Sequence, residues 1–294
     1  MKPVAVLASL VVLLSAGVIC TGAEQAAVRT HTYKSTPQGD LKILVHLPSD
    51  WKASDRRPAI VFFFGGGWTG GSVRQFEDQA SYLAGRGMVA ARADYRVKSR
   101  HGVTPVACVE DAKSAVRWLR AHADDLGIDP KRIAAGGGSA GGHIAACTAL
   151  VPGHEAEGED TAISSRPSAL VLFNPVLDMR QLDKYAKDLD AETRAAISPI
   201  RYVTKETPPA ILFYGTKDRF LADGRAMRAE AKQHGNRVEL YTAEGQPHGF
   251  FNRPPWKPLT VTEADRFLAS LGYVVGKPTI TPPEETAQAL RKVD

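Results

Sequence analysis

Cysteine is scarce in this chain, with three among 294 residues. Cys108 and Cys147 lie in helical stretches among apolar neighbours, and two cysteines are too few for a disulfide framework in a chain of this length. We therefore expect two buried free thiols rather than a bridge. No Cys/His spacing typical of a zinc site occurs, so the sequence predicts no metal site.

A large excess of one charge sign is also missing. The chain has 37 Lys and Arg residues against 32 Asp and Glu residues, a formal net charge of +5 at pH 7. No basic cluster accompanies this surplus, because even the basic stretch Arg96–His101 is typical of a solvated loop. We therefore expect no nucleic-acid partner.

The N-terminus carries an apolar run, Val4–Ile19. It follows Lys2 and precedes the small residues Thr21–Ala23, which is the pattern of a secretory signal peptide. The run is short of a full membrane span and lacks flanking charge, and Ile19 directly before Cys20 disfavours lipid attachment. We expect a signal peptide at residues 1–23, a secreted or periplasmic protein, and no stable membrane insertion after cleavage.

Short β-rich runs alternate with longer helical stretches, which is typical of an α/β domain with a mostly parallel sheet and helices on both faces. The domain is expected over residues 24–275. The predicted strands are Leu41–Leu47, Ala59–Phe64, Met88–Ala93, Arg132–Ala135, Ala169–Phe173, Ala210–Tyr214 and Arg237–Tyr241. The predicted helices are Ser72–Arg86, Val106–Ala123, Ala140–Leu150, Asp223–His234 and Thr262–Leu271.

Two segments depart from this alternation. Leu177–Thr207 is helical and charged, and it forms either a small cap over a cleft or a longer crossover helix. The C-terminal tail, residues 276–294, is proline-rich and ends in a short helical pattern, Glu284–Lys292. We expect the tail to be peripheral to the domain.

The run Gly136–Gly142 carries the main chemical signal. It joins a short apolar segment to a helical stretch, and a serine between glycines at a strand-to-helix turn is a nucleophile elbow. Only glycine avoids a clash beside so tight a turn, which points the Ser139 hydroxyl into a cleft. A Walker phosphate loop would need Gly-Lys-Ser/Thr, and this run contains no lysine.

A serine nucleophile needs a base to take its proton. His248 lies in a loop directly after the last predicted strand, between Pro247 and Gly249, where it is free to reach over the strand ends. His143 lies on the helix after the serine turn and should pack beside the sheet. The remaining histidines occupy positions unsuited to a base, so His248 is the predicted base.

The base in turn needs an orienting acid. Asp218 follows the strand Ala210–Tyr214, at the carboxyl end where ligand chemistry collects in parallel sheets. Asp223 is better placed to cap the following helix. Asp218 is therefore the predicted acid, and Asp178, after the preceding strand, is the competing one.

A triple glycine follows the strand Ala59–Phe64. It lets the backbone approach a ligand closely with its N–H groups exposed. The predicted oxyanion donors are the N–H groups of Gly65 and Gly66, together with that of Ala140 after the nucleophile. Trp68 and Trp256 are candidates to line a sugar or aryl site, although both are also consistent with packing.

Four motifs together resemble those of α/β-hydrolase fold esterases over about residues 40–272. They are Phe64–Trp68, Gly137–Gly142, Gly215–Asp218 and His248–Phe250. Two groups fit, the hormone-sensitive-lipase-like carboxylesterases and the secreted bacterial carbohydrate esterases of the acetylxylan and feruloyl type. Phe64 stands where the histidine of the glycine motif is usual, and Gly138 where an acidic residue is common. Both departures favour the carbohydrate-esterase group.

The resemblance implies a serine carboxylic ester hydrolase that needs no metal or cofactor. Its expected substrate is a small-molecule or polysaccharide ester, with short acyl groups and acetylated or feruloylated polysaccharides as candidates. A serine peptidase of the prolyl-oligopeptidase type shares the fold, but this chain has no room for its propeller domain. A non-catalytic binding protein on the same fold is the other alternative.

Overall fold

The computed structural model describes residues 27–182, 186–280 and 289–294. The predicted signal peptide at residues 1–23, with Cys20, lies outside these ranges. Nine strands are present in the described part. They are β1 (Ala27–Thr36), β2 (Gly39–Leu47), β3 (Arg57–Phe63), β4 (Val89–Ala93), β5 (Ile128–Gly138), β6 (Ala169–Phe173), β7 (Ala210–Gly215), β8 (Val238–Ala243) and β9 (Leu290–Lys292).

These strands form one sheet in the order β1-β2-β4-β3-β5-β6-β7-β8-β9. Strands β3 to β8 pair in parallel, whereas β1–β2, β2–β4 and β8–β9 are antiparallel pairs. Every residue of β4, β6 and β7 is buried. Burial on both faces is why these strands read as continuous apolar runs in the sequence.

Helices cover both faces of the sheet. They are α1 (Glu77–Gly85), α2 (Lys98–His101), α3 (Pro105–Ala121), α4 (Ala140–Leu150), α5 (Ala191–Ala196), α6 (Leu221–Gln233) and α7 (Trp256–Ser270). Apolar side chains of α3, α4 and α6 pack in the core on one face, and those of α1 and α7 in the core on the other. The predicted α/β fold, a mostly parallel sheet between two helical layers, is therefore confirmed. In the described ranges, no helix is both long and apolar enough to cross a membrane.

The C-terminal tail departs from its predicted structure. A helical pattern was expected over Glu284–Lys292, but Leu290–Lys292 pairs with β8 as an antiparallel strand; residues 284–288 lie outside the described ranges. The unpaired edge of β8 offers backbone hydrogen bonds that a weak local helical preference does not match. Cys108 and Cys147 are buried free thiols, as predicted.

The segment between β6 and β7 is not a long crossover helix in its described residues. It holds α5, which has six residues, and a short 3-10 turn at Pro199–Tyr202. Leu177 and Ile197 from this segment are fully buried. Leu182 lines the cleft described below, so the segment forms a small cover at the edge of that cleft.

Candidate active site

Ser139 lies at the turn between β5 and α4, with the backbone angles φ 55° and ψ −119°. A positive φ is costly for a residue with a side chain, and such strain is common at functional turns. The turn is packed against the end of β3: a Cβ on Gly141 would lie 2.1 Å from the carbonyl oxygen of Phe63. Glycine is thus required beside the serine, and Ser139 is held at the carboxyl end of the sheet.

Three predicted residues meet at this edge in one hydrogen-bonded chain. The Ser139 Oγ lies 2.7 Å from His248 Nε2, and His248 Nδ1 lies 2.7 Å from Asp218 Oδ2. The other oxygen of Asp218 accepts the backbone N–H of Phe220 at 3.0 Å. The Asp218 side chain is fully buried, while that of His248 is 36% exposed. The arrangement fixes the imidazole between a hydroxyl donor and a carboxylate.

The two other aspartates have different roles. Asp178, the competing acid, is engaged by the Arg180 guanidinium at 2.6 Å rather than by a histidine. The prediction that Asp223 caps α6 is wrong, because Phe220 occupies the cap position and Asp223 lies in the first turn. Burial and the nearby Asp178 carboxylate raise the pKa of Asp223 to about 6.

His143 packs beside the sheet, as its position on α4 predicts. It is fully buried, and burial lowers its pKa to about 4. The Trp68 indole N–H donates to His143 Nδ1 at 3.1 Å, and His143 Nε2–H donates to the carbonyl of Ile197 at 2.7 Å. His143 is therefore a neutral core residue that joins the glycine loop to the cover segment.

The oxyanion prediction needs one correction. The Gly65 N–H donates to Gln75 Oε1 at 2.6 Å and so is already engaged. In the described part of the chain, the N–H groups of Gly66 and Ala140 have no hydrogen-bond acceptor. Gly66 lines the same cleft as Ser139. Ala140 directly follows Ser139 as the first residue of α4, where an N–H has no partner within the helix. Two of the three predicted donors are left for a ligand.

A cleft of about 610 Å³ opens over this chain of residues. Its walls include the glycine loop, Leu182, Phe220 and Phe251. Trp68 borders the cleft but is only 3% exposed, because its ring packs against His143. Trp256 does not line this cleft: it is 4% exposed, and it borders a separate hollow that His248 also lines. Of the two alternatives that the sequence left open, packing applies to both tryptophans, and neither presents an exposed aromatic face.

The chain matches a known protein family. The sequence model of the BD-FAE family matches residues 45–230. The chain belongs to the BD-FAE family. Esterase LipC of Mycobacterium tuberculosis is 29% identical over 235 residues, which are 68% of this chain and 56% of LipC. Carboxylesterase NlhH of the same species is 26% identical over 253 residues, 79% of this chain and 78% of NlhH.

Solved structures agree with this family. Thermogutta terrifontis esterase 2 phosphoramylated by tabun is 46% identical and superposes with a TM-score of 0.81, covering 86% of this chain and 98% of that one. The same esterase is known with propionate bound, at 46% identity and a TM-score of 0.80, over 86% of this chain and 97% of that one. This BD-FAE chain is a carboxylic ester hydrolase with the α/β-hydrolase fold.

Both departures of this esterase from the usual motifs have a packing explanation. The Phe64 ring stacks on Tyr95 with the ring centres 4.2 Å apart, and the Tyr95 hydroxyl donates to the Phe64 carbonyl at 2.6 Å. A Cβ on Gly138 would lie 2.5 Å from the ring of Phe251. Phe64 is thus part of an aromatic stack, and the ring of Phe251 fills the space that an acidic side chain at position 138 would need.

Sequence reasoning missed three amide side chains that line the cleft, Gln75, Asn174 and Asn252. Asn174 directly follows β6, and its position at the carboxyl end of a parallel strand is a signal that could have found it. Gln75 and Asn252 lie in short 3-10 turns and carry no comparable signal.

Proposed function

We propose that this esterase works through an acyl-enzyme on Ser139. The Oγ of Ser139 attacks the ester carbonyl while its proton passes to His248 Nε2, and Asp218 orients and stabilises the resulting imidazolium. The oxyanion accepts the N–H groups of Gly66 and Ala140. The alcohol leaves with the proton from His248, and water activated by the same imidazole releases the acid and restores the serine.

The observation that carries this proposal is the pair of 2.7 Å contacts joining the hydroxyl, the imidazole and the carboxylate. A nucleophile and base within hydrogen-bond reach, with the base oriented by a third group, are the requirements for an activated serine. The proposed oxyanion donors would stabilise the transition state further, because each such N–H contributes about 3–4 kcal/mol in enzymes of this kind. Covalent adducts of the Thermogutta esterase with organophosphorus compounds support the same chemistry here.

Replacing Ser139 by alanine tests the mechanism. We expect Ser139→Ala to lower kcat for 4-nitrophenyl acetate by about a million-fold, since the triad acts as a unit, while circular dichroism and the thermal midpoint stay unchanged. Exposed Ser99 offers a matched control, and Ser99→Ala should keep wild-type activity and labelling by a fluorophosphonate probe. Hydrolysis by Ser139→Ala at more than a hundredth of the wild-type rate would refute the assignment.

We further propose short-acyl esters as the substrates. Leu182, Phe220 and Phe251 provide an apolar lining within a cleft of about 610 Å³, which is of the size that holds small ligands. Propionate-bound and butyrate-bound structures of the Thermogutta esterase support a short acyl chain. Acetylated or feruloylated polysaccharide stays a prediction, now without exposed tryptophan rings to stack on a sugar.

An acyl panel tests this substrate class. We expect kcat/KM for nitrophenyl acetate, propionate and butyrate to exceed that for nitrophenyl decanoate. The long acyl chain of the decanoate would extend beyond the apolar part of the cleft. Acetylated xylan and methyl ferulate, assayed beside them, test the polysaccharide prediction. A preference for decanoate would overturn the short-acyl proposal.

We also propose that the protein is exported from the cytoplasm. This proposal rests only on the signal-peptide pattern of residues 1–23. Expression of the full chain and mass measurement of the mature N-terminus decide it. A product that begins near Glu24 would support signal-peptide cleavage, a lipid-modified Cys20 would indicate an anchored form, and an intact N-terminus would contradict both.

A further inference from the structure

Three side-chain amides connect the glycine loop after β3 to the loop that carries His248. At one end, Gln75 Oε1 accepts the Gly65 N–H at 2.6 Å. The Gln75 Nε2 group then donates to Asn252 Oδ1 at 3.0 Å. Gln75 therefore bridges a residue that is next to an oxyanion donor and a residue of the histidine loop.

The connection continues from Asn252 toward His248. Asn252 Nδ2 donates to the carbonyl of Gly249 at 3.0 Å, and the Gly249 N–H donates to Asn174 Oδ1 at 3.1 Å. Asn174 is fully buried, with its Nδ2 group 3.5 Å from His248 Nε2. Donors and acceptors alternate along the whole path. A flip of any of these side-chain amides would exchange its oxygen and nitrogen and so break the hydrogen bonds that both atoms make.

The path engages one N–H group of the glycine loop. Since Gly65 donates to Gln75, its peptide is held in one orientation, and the next N–H, that of Gly66, is the one that the proposed mechanism assigns to the oxyanion. Gly65 also packs against the nucleophile: a Cβ on it would lie 3.3 Å from Ser139 Cβ. A rotation of this peptide would thus displace the oxyanion donor relative to the attacking oxygen.

We propose that Gln75 and Asn252 are positioning residues that hold the oxyanion loop and the His248 loop in a fixed mutual geometry for acylation. The inference rests on the proposed serine mechanism and goes beyond it, because neither residue belongs to the triad or donates to the oxyanion. Geometry of this kind matters because a misplacement of about 1 Å can cost on the order of a hundredfold in rate.

The test compares Gln75→Ala, Asn252→Ala and the double variant with the wild type. For each, we would measure kcat and KM for nitrophenyl acetate and the rate of phosphorylation by an organophosphate, which needs acylation chemistry but no turnover. We expect each single variant to lose about 10- to 100-fold in kcat/KM and in phosphorylation rate. KM should change by less than about twofold, because a positioning effect acts on the reacting geometry rather than on substrate binding. The double variant should lose little more than either single one, since both break the same path.

Two further variants separate positioning from general destabilisation. Gln75→Glu keeps an acceptor for the Gly65 N–H, so it should retain more activity than Gln75→Ala, and it remains a test if Gln75→Ala does not fold. Gln233→Ala, on the exposed face of α6, makes the same change outside the path and should behave as wild type.

Several outcomes would overturn the proposal. These are wild-type kcat in folded Gln75→Ala and Asn252→Ala, a loss confined to KM, or additive losses in the double variant. Ser139→Ala is measured in the same series. If it is inactive while the amide variants keep full activity, the serine mechanism stands and the positioning role is wrong. If it hydrolyses the ester at a substantial rate, both are wrong.

Discussion

Gly65 is the residue at which the loop after β3 approaches the nucleophile. A Cβ built on it would lie 2.8 Å from the carbonyl oxygen of Gly138 and 3.3 Å from Ser139 Cβ. The obstructing atoms belong to the backbone of the serine turn and to the nucleophile itself, so they cannot move aside as a flexible side chain would. Glycine here is required by the short distance between two loops rather than by a positive φ.

Gly65→Ala should therefore lower kcat/KM for nitrophenyl acetate by on the order of a hundredfold or more, because the loop must shift away from Ser139. Gly85→Ala is the matched control. A Cβ on Gly85 meets nothing within 4 Å. It lies at the end of α1, where alanine is more favourable than glycine by about 0.5–1 kcal/mol, so activity should persist and the thermal midpoint should hold or rise. Wild-type activity in Gly65→Ala would show that the two loops are not rigidly packed.

At the scale of elements, two carboxyl groups lie close together where the start of α6 packs on the loop after β6. They belong to Asp223 and Asp178. The Asp223 carboxyl accepts backbone N–H groups of Leu177 and Asp178, and it lies close to the Asp178 carboxylate. Burial and this neighbouring charge raise the pKa of Asp223 from 3.8 to about 6. The folded state therefore binds a proton at Asp223 more tightly than the unfolded state does.

The sign of the resulting pH dependence follows from linkage. Since the folded pKa lies above the unfolded one, Asp223 makes stability fall as the pH rises from about 4 to about 6, and the loss is complete above that range. Asp223→Asn has no charge to bury and can still accept the N–H groups. We expect the variant to be more stable than the wild type above pH 6 and to lose this part of the slope.

Thermal or urea unfolding between pH 4 and pH 8 provides the measurement. The exposed Asp125 allows the same substitution without burial, and Asp125→Asn should follow the wild-type curve. A lower stability of Asp223→Asn at pH 7 would contradict the assigned direction.

At the scale of the whole molecule, the outer edge of the sheet depends on the C-terminal residues. Strand β9 pairs with β8, and Lys292 Nζ lies 2.7 Å from the Glu239 carboxylate. Val293 adds a backbone bond, its N–H donating to the Leu240 carbonyl at 2.8 Å. An uncovered β8 would present unpaired backbone groups to other chains.

Removal of residues 289–294 should lower the thermal midpoint by about 2–4 °C, the change expected in a chain of this size for a loss of about 1 kcal/mol. It should also increase association at high concentration, detected by light scattering. Lys292→Ala removes only the ion pair and should change the midpoint less, because exposed pairs contribute little. An unchanged midpoint after truncation would show that β9 contributes nothing to stability.

The fold and the main site residues could be predicted from the sequence because the constraints behind them are local or topological. The glycines around Ser139 reflect contacts within one turn and its neighbouring strand. Asp218 and His248 each follow a strand of a parallel sheet, and the carboxyl ends of such strands meet at one edge. The parallel arrangement of the strands thus brings together residues that are far apart in the chain.

Other features could not be predicted, for identifiable reasons. Strand β1 was missed because most of its residues are exposed, so it shows no apolar run. The helical pattern near the C-terminus was overridden by pairing with β8. Trp256 looked available to a sugar, but a neighbouring ring, that of Phe250, contacts it in the core.

The sequence by itself determined the serine turn, the order of the buried core strands and the helices that cover them, and the buried thiols, because steric limits and apolar periodicity act over a few residues. Only the tertiary structure decided that the Gly65 N–H is engaged by Gln75 and so is not available to an oxyanion. Gln75 in turn donates to Asn252, which lies 177 residues further along the chain. Such partners meet only after the sheet has formed, so no local pattern could encode them.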